Sequence, residues 1–545
     1  MKRSRTTQGT IVLAVAALVC TGVLGAGVAS AQHAHVSTHT LSEYQQWLTN
    51  LASQQYTVVQ GNVFLMVNSE CPTLVAIFES CFGNNPAAPY IIPQPPIEHS
   101  YVDLSYAVPL NTPGPDGLTN IVYRLGDHEA LVTIIAYPPK AAYFGYQSYV
   151  FTRDISAYAG ITPPRSPTVS PDPSRYEIFG SIGNDVNNVI VQNQLGSAPW
   201  GGTVVMYITT PNQTLAQALM ANASSHGINP DSMFVEPVGS NVLTGNDARA
   251  DDLMTLMRYA VPESTAAAAE WQQALSRNVL VYKVTQTEIA VSRFGATHYT
   301  AHVSNTDETG LTTPLQQLAT LLQTYLAATQ TPIDTAASHQ LEATARDDAQ
   351  GVPTAGIVGS TCIAYGVDCL GDNQDTSTYA TLLNDVLLLG PEETAFIAGV
   401  NHSVESVNNN HYVSVDISNA SNLSGVASAS QTNPTAVGFA SGFLTGSAQQ
   451  VLTALGITIP PGDTALTDNI AKFYVTFIAR NCQNATIAAA HAYCIDLMGS
   501  SLIPLEDPIT IFERSYVVPG RTAGGYPPAM VYPYIIAATH TFIAK

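Results

Sequence analysis

Six of the seven cysteines form three pairs that are close in the sequence, and the seventh, Cys20, lies in an apolar leader. The three pairs are Cys71/Cys81, Cys362/Cys369 and Cys482/Cys494. The leader, Met1–Ala31, begins with basic residues and ends in Ala29-Ser30-Ala31, the small-residue pattern that signal peptidases cleave. An export signal followed by an even number of cysteines predicts an oxidising compartment and three local disulfides. The expected location is therefore secreted or periplasmic.

The charge of the mature chain excludes two classes of partner. After removal of the leader, 16 Lys and Arg face 40 Asp and Glu, which gives a formal charge of −24. Nucleic acids and anionic lipids are bound through clustered Lys and Arg, so neither is an expected partner. No later run of about 18 apolar residues occurs, so no membrane insertion is expected after cleavage. The hydrophobic fraction of 46% predicts a folded chain and excludes bulk disorder.

The mature chain is long enough to form several domains. We predict a signal peptide over 1–31, an N-terminal mixed α/β lobe over 32–246, a mainly helical segment over 247–352, and a C-terminal mixed α/β lobe over 353–545. The predicted fold class is therefore α+β, with two β-containing lobes and a mainly helical segment between them.

Local patterns underlie this organisation. Residues 40–43 form a capping box that predicts a helix through Leu51. Apolar and aromatic runs predict strands, and capped or periodic segments predict further helices. The predicted strands are Ala130–Ala136, Tyr143–Thr152, Thr203–Ile208 and Met233–Val238. The predicted helices are Thr214–Ser225, Asp251–Ala260, Thr265–Leu275 and Pro314–Ala328.

The two predicted lobes share a short sequence pattern. Glu129 precedes the apolar strand Leu131–Ala136, and Glu393 precedes a similar run, Phe396–Gly399, near an offset of 263 residues. A cysteine pair precedes each copy. Two interpretations remain open, an internal duplication and a chance likeness of two apolar strands.

A histidine loop is the first candidate for a catalytic site. Asn401 and His402 follow the predicted strand Phe396–Gly399, and ends of buried strands are common places for functional residues. Glu405 and His411 lie close in the sequence. This group could let His402 act as a general base oriented by Glu405, or could bind a transition metal. An ordinary core or surface histidine is the alternative.

Arginines and tyrosines form a second candidate group. Tyr146 lies on a tyrosine-rich predicted strand that Arg153 directly follows, and Arg514 follows a β-prone apolar run. Together with Asn401, these side chains could bind a polar or carboxylated substrate. The alternative is that the tyrosines lie at the rim of a core strand and that the arginines form structural ion pairs.

An aspartate-rich loop follows the second cysteine pair. Asp368, Asp372, Asn373 and Asp375 surround Gly371. Closely spaced carboxylate and amide oxygens are ligands that Ca²⁺ prefers, so calcium is the one cofactor that the sequence suggests. The alternative is a solvated turn in which these side chains cap the backbone.

Three functions remain open from the sequence. The favoured one is an exported hydrolase or lyase that uses histidine and carboxylate acid–base chemistry on a polar or anionic substrate. The second is a non-catalytic protein that binds a small molecule or glycan, and the third is a secreted surface or structural protein. An enzyme predicts that His402 and a carboxylate or arginine converge in one cleft. A binding protein predicts a tyrosine-lined cleft without a perturbed acid–base pair.

Overall fold

The computed structural model describes residues 39–86, 88–96, 107–108, 119–160, 168–169, 172–329, 335–343, 359–380, 385–430, 447–484, 487–497 and 500–544. The predicted leader lies outside these residues. The described helices are α1 (Leu41–Ala52), α2 (Cys71–Phe78), α3 (Asn188–Leu195), α4 (Gln213–Ser225), α5 (Thr265–Gln273), α6 (Leu275–Asn278), α7 (Thr312–Thr329), α8 (Gly359–Tyr365), α9 (Ser447–Ala454) and α10 (Thr464–Asn469). None of the helices in these ranges has both the length and the apolar character needed to cross a membrane.

The strands fall into a first lobe, β1–β14, and a second lobe, β15–β26. The first-lobe strands are β1 (Thr57–Gln60), β2 (Asn62–Met66), β3 (Tyr90–Gln94), β4 (Ala107–Val108), β5 (Thr119–Asn120), β6 (Glu129–Ala136), β7 (Ala141–Asp154), β8 (Thr168–Val169), β9 (Asp172–Ser181), β10 (Val186–Asn187), β11 (Val204–Thr210), β12 (Met233–Pro237), β13 (Asp252–Pro262) and β14 (Val279–Thr285). The second-lobe strands are β15 (Ala336–Gln340), β16 (Glu342–Ala343), β17 (Thr376–Ala380), β18 (Asp385–Leu387), β19 (Thr394–Val400), β20 (Tyr412–Asn419), β21 (Gly425–Ser430), β22 (Phe473–Ala479), β23 (Cys494–Asp496), β24 (Ile509–Tyr516), β25 (Tyr534–Ala538) and β26 (Phe542–Ala544).

The two lobes share the arrangement of five strands in each of their two sheets. One sheet has the order β1-β14-β6-β11-β12 in the first lobe and β15-β25-β19-β22-β23 in the second. In both, only the last pair is parallel. The other sheet has the order β2-β3-β13-β7-β9 in the first lobe and β16-β17-β24-β20-β21 in the second. This repeat favours an internal duplication over chance as the origin of the sequence likeness.

A turn before the central strand is also repeated. The Gly126 amide donates to the Glu129 carboxylate at 2.7 Å, and the Gly390 amide donates to the Glu393 carboxylate at 2.8 Å. In each lobe the strand that follows, β6 or β19, is buried along nearly its whole length. Strands buried on both faces are mostly apolar, which explains why both segments keep an apolar sequence.

The loop after each lobe's first disulfide docks on the other lobe. Its backbone donates a pair of hydrogen bonds to the other lobe, to strand β9 in the first lobe and to the β20–β21 turn in the second. The bonds are Cys81 N to Asn422 O (2.8 Å), Gly83 N to Leu423 O (2.9 Å), Cys369 N to Ile178 O (2.8 Å) and Gly371 N to Phe179 O (2.9 Å). Gly83 and Gly371 have φ of +61° and +71°, a conformation that favours glycine. The lobes therefore hold each other through exchanged loops.

The structure confirms the predicted α+β class and corrects part of its detail. The three predicted disulfides are present. The capping box begins α1 as expected, with Thr40 as its N-cap. The predicted helix Asp251–Ala260 is wrong, because Asp252–Pro262 is strand β13 and pairs with β7 along its length. The segment 247–352 therefore contributes α5, α6 and α7, but also central strands of the first lobe.

Candidate functional site

A polar cluster is buried where the two lobes meet, and it contains a carboxylate from each lobe. Asp185 lies between β9 and β10, and Asp375 immediately precedes β17. The Tyr143 hydroxyl on β7 lies 2.9 Å from Asp375 Oδ2 and 3.3 Å from Asp185 Oδ2. Each of the three side chains is at most 1% exposed. One hydroxyl therefore joins two buried carboxyl groups.

A count of protons assigns the direction of these hydrogen bonds. The Tyr143 hydroxyl has one proton and can donate to only one carboxylate. Asp375 is the closer acceptor, and its oxygens also accept from Asn187 Nδ2 at 3.2 Å and Thr376 Oγ1 at 3.1 Å. The second contact becomes a full two-centre hydrogen bond when Asp185 donates its own proton to the tyrosine oxygen. The result is a chain from a neutral acid, through a hydroxyl, to a carboxylate.

The electrostatic environment favours the same assignment. Burial raises the pKa of Asp185 well above its ordinary value, and repulsion from Asp375 raises it further. Burial also raises the pKa of Asp375, but hydrogen bonds from Tyr143 and Asn187 oppose that shift. Two carboxyl groups that share a site and differ in their donors ionise at different pH. The additional donors at Asp375 therefore favour placing the proton on Asp185 and the negative charge on Asp375.

Gly145 leaves space for the hydrogen-bonded side chains of Asp185, Tyr143 and Asp375. A Cβ atom here would overlap the Tyr143 hydroxyl and lie 2.7 Å from Asp185 Oδ1. We expect Gly145→Ala to displace the pair and to lower the free energy of unfolding by about 1–3 kcal/mol, measured by urea denaturation. The control is Gly295→Ala, where a Cβ meets nothing within 4 Å. Equal stability of the two variants would contradict this packing.

Arg258 on β13 borders the cluster. Its side chain is buried, and its Nη1 donates to the Tyr149 hydroxyl at 2.8 Å. Its guanidinium carbon lies 5.2 Å from the ring centroid of Tyr90. Within the described ranges, Arg258 Nε and Asp185 Oδ1 are buried without a hydrogen-bond partner. Buried polar atoms of this kind mark places where ordered water or a ligand completes the hydrogen bonding.

An irregular segment, residues 286–308, bridges the lobes beside the cluster. Its hydrogen bonds include Tyr299 Oη to Ser181 O (2.7 Å), Thr300 N to Asn184 Oδ1 (2.8 Å) and Val303 N to Gly524 O (3.0 Å). The first two bonds reach the chain just before Asp185, and the third reaches the second lobe. The segment thus lies against the polypeptide that carries Asp185.

A second buried carboxyl group, Glu236 of β12, lies between the two sheets of the first lobe. Its Oε1 accepts from the Ser148 amide at 2.6 Å, and its Oε2 accepts from Thr209 Oγ1 at 2.6 Å. Burial raises the pKa of Glu236 to about 7, against the effect of these hydrogen bonds. Glu236 therefore titrates near neutral pH.

His402, the predicted general base, is fully buried. Its Nδ1 lies 2.8 Å from Glu308 Oε1, and its Nε2 lies 3.1 Å from Glu513 Oε1. Burial acts to lower its pKa, but the two glutamates raise it to about 10, so the ring is an imidazolium. Glu405 does not orient this ring, because other carboxylates contact both nitrogens. Glu405 and His411 are exposed.

The four predicted substrate-binding residues are buried and have separate protein partners. The partners are Ser403 for Asn401 (2.6 Å), Thr209 for Tyr146 (3.0 Å), Asp251 for Arg153 (2.5 Å) and Asp416 for Arg514 (2.5 Å). The structure does not gather them into one site. Their neighbourhoods correspond to the alternative that the sequence left open, core tyrosines and structural ion pairs.

The four predicted calcium ligands also bind protein donors. Asp368 accepts from the Leu370 amide at 2.7 Å, and Asn373 accepts from the Tyr149 hydroxyl. Asp372 accepts from Ser181 N and Oγ, each at 2.8 Å, and from the amide of Gly359 at 2.9 Å. Asp375 belongs to the carboxyl chain described above. Within the described ranges, no group of three or more acidic, histidine or cysteine side chains is arranged to hold a metal ion.

Sequence reasoning missed the partners that complete both buried clusters. Asp185, Asn187 and Arg258 are far from Asp375 in the sequence, and Glu308 is far from His402. One signal was available: few charged residues lie in apolar stretches of this sequence. A charge in such a stretch is expected to be buried, and a buried charge needs a partner from elsewhere in the fold. That signal identifies a residue of interest but not its partner.

Comparisons with known proteins do not assign a family. No protein-family model matches the chain, and no curated protein does. Two similar solved structures are an uncharacterised protein from Burkholderia cenocepacia and the VPA0106 protein from Vibrio parahaemolyticus, each 10% identical with a TM-score of 0.33. Both likenesses cover 91% of this chain, together with 87% and 96% of the respective neighbours. Structural similarity at this TM-score carries no argument about function.

Proposed function

We propose that the protein is an exported hydrolase or lyase in which the chain Asp185–Tyr143–Asp375 performs acid–base catalysis on a polar or anionic substrate. The observation that carries this proposal is the single hydroxyl shared by two buried carboxyl groups of unequal acidity. Perturbed pairs of this kind are characteristic of sites that must hold both an acid and a base.

The roles follow from the direction of the hydrogen bonds. Asp375 is the base, since it is the ionised end of the chain and can accept a proton. Asp185 is the acid, since burial keeps its proton in place at a pH where an ordinary aspartate is ionised. Tyr143 has a pKa raised by burial, so its neutral hydroxyl can relay a proton between them. Hydrolysis and elimination both need an acid and a base.

His402 does not serve this purpose as well. Its imidazolium already contacts two glutamates, so it has no vacant nitrogen that could accept a proton from a substrate. The proposal therefore retains the predicted acid–base catalysis by carboxyl groups and assigns it to the hydrogen-bonded residues Asp185, Tyr143 and Asp375 instead of His402.

Removal of either carboxyl group tests the proposal. Wild type is screened against chromogenic glycosides and esters and against uronate polysaccharides, for which elimination produces an ultraviolet-absorbing product. We expect turnover of at least one class, and we expect Asp185→Asn and Asp375→Asn each to lower kcat about a hundredfold to ten-thousandfold. The matched control is Asp231→Asn, because Asp231 is exposed and lies elsewhere.

Two results would contradict the proposal. One is turnover that both asparagine variants retain within about twofold of wild type, and the other is a wild type that turns over no member of the panel. In the second case, a panel compound that raises the melting temperature without being consumed would favour the binding protein. The buried, unpartnered atoms beside Tyr90 and Tyr149 are the observation that supports this second candidate.

A further inference from the structure

Two arginines lie at equivalent positions in the two lobes. Arg258 is on β13, the strand between β3 and β7, and Arg514 is on β24, the strand between β17 and β20. Arg514 Nη2 donates to the Gly83 carbonyl at 2.8 Å, and Arg258 Nη2 lies 3.5 Å from the Gly371 carbonyl. Each of these glycines is two residues after the second cysteine of the other lobe's disulfide loop. The lobes can therefore be compared residue by residue at this point.

The comparison shows one difference in charge. Arg514 forms a buried ion pair with Asp416 at 2.5 Å. Arg514 is opposite Ser414 on β20, and Arg258 is opposite Gly145 on β7. Two residues further along each strand, the second lobe has Asp416 and the first lobe has Gln147. Gln147 donates to the Ser148 carbonyl, and its Oε1 has no hydrogen-bond partner among the residues that the structure describes.

Arg258 is therefore a buried cation without a carboxylate partner in direct contact. Within the described ranges, no Asp or Glu oxygen lies within 4.0 Å of its guanidinium, whereas buried Arg124, Arg153, Arg175 and Arg514 each contact an aspartate. The nearest acids, Asp185, Asp372 and Asp375, act on it only at longer range. An unpaired charge in such a place is costly, and an anion bound from outside would remove that cost.

We infer that Arg258 binds the carboxylate group of a monocarboxylate ligand through its unpartnered Nε edge, between the rings of Tyr90 and Tyr149. The ligand is a monoanion because nearby Asp375 repels a dianion more strongly. The site adjoins the Asp185–Tyr143–Asp375 chain, so this inference specifies the substrate class and in that respect rests on the proposed function. The substrate would then present its carboxylate to Arg258 and its reacting bond to the carboxyl chain.

The test compares acetate with acetamide, which has nearly the same shape and no charge. Binding is followed through the ¹⁵N–¹H resonance of the Arg258 Nε, assigned by its absence in Arg258→Met. We expect acetate to shift this resonance and to bind at least about tenfold more tightly than acetamide. Inorganic phosphate is a third probe, and we expect it to bind more weakly than acetate. Equal binding of acetate and acetamide, or tighter binding of phosphate, would overturn the inference.

A second variant tests the site without removing the arginine. Gln147→Asp places a carboxylate where the second lobe has Asp416, so it should pair with Arg258 and abolish the acetate-induced shift. Arg277→Met, at an exposed position, should leave acetate binding unchanged. An unchanged acetate affinity in Gln147→Asp would contradict the inference. Acetate binding to Asp375→Asn separates the two proposals, since that variant should lose turnover and keep the Arg258 site.

Discussion

Replacement of His402 with glutamine is expected to lower the free energy of unfolding by about 3–5 kcal/mol, the range observed when one member of a buried ion pair is removed. His402 is the cation between Glu308 and Glu513, and all three side chains are fully buried. Glutamine has no charge, so the variant would leave two buried carboxylates facing each other. The measurement is urea denaturation at pH 7, in which the midpoint should fall without a change in slope.

The hydrogen bonds around the two glutamates explain why they cannot easily adapt. Glu308 accepts from Asn409 Nδ2 at 2.6 Å and from the Val531 amide at 2.9 Å. Glu513 accepts from the Tyr474 hydroxyl, and a Cβ at Gly399 would collide with the Tyr474 ring. These donors fix the positions of both glutamate side chains, so neither can move away from the other without losing hydrogen bonds. His402 is therefore the counter-charge on which this part of the second lobe depends.

The His402 prediction has a local control and a test of coupling. His411→Gln alters an exposed histidine nine residues away and should change stability little. The double variant His402→Gln/Glu513→Gln should be more stable than the sum of the single changes implies, because it removes one of the facing charges. The contribution of the imidazolium is complete below pH 6.5 and is lost as the pH rises through about 10. A loss below 1 kcal/mol in His402→Gln would contradict this account.

The sequence correctly predicts those helices and strands whose residue pattern fits only one type of secondary structure. The capping box of α1, the buried strand β6 and the strand–helix–strand unit from β11 to β12 agree with their predictions. The prediction for residues 251–260 is wrong because the spacing of their apolar residues also fits a helix. β13 is buried on both faces, and a central strand of this kind has no alternation that would distinguish it from a helix.

The candidate site was beyond sequence reasoning for a geometric reason. The sequence predicts Asp375 as a calcium ligand and Tyr143 only as the first residue of a strand. They meet because the loop after Cys369 crosses to the first lobe, where its backbone joins β9. An exchange of loops between duplicated lobes has no signature in local spacing. The sequence could identify buried carboxylates as unusual, but only the fold pairs them.

The native protein is expected to be more stable at pH 5 than at pH 8, by on the order of 5 kcal/mol. Burial raises the pKa of Asp372 to about 6 and that of Glu236 to about 7. One pKa unit corresponds to about 1.4 kcal/mol, so between pH 5 and pH 8 Asp372 contributes roughly 1.4 kcal/mol and Glu236 roughly 2.7 kcal/mol. Between these values and ordinary carboxyl values, the folded state binds more protons than the unfolded state. Stability therefore falls as the pH rises through this window.

Other buried groups modify the size of this effect but not its direction. The pKa values of Asp185 and Asp375 are also raised, mainly by burial, so both groups add to the loss of stability with rising pH. Burial lowers the pKa of His302, which acts in the opposite direction, but only below the ordinary histidine value of 6.5. The measurement is the urea midpoint at half-unit steps from pH 5 to pH 8.

Glu236→Gln isolates one of the two main groups. Glutamine has the shape of the protonated acid, and the hydroxyls of Ser148 and Thr209 can reverse to accept from its amide. Because the Ser148 hydroxyl also hydrogen-bonds that of Thr255, and the Thr209 hydroxyl that of Tyr146, this reversal leaves no donor stranded. The variant should match wild type near pH 5 and lose roughly 2–3 kcal/mol of the pH dependence up to pH 8. A variant with the full wild-type slope, or a wild type whose stability rises over this range, would show that these carboxyl groups are ionised in the folded protein at acid pH.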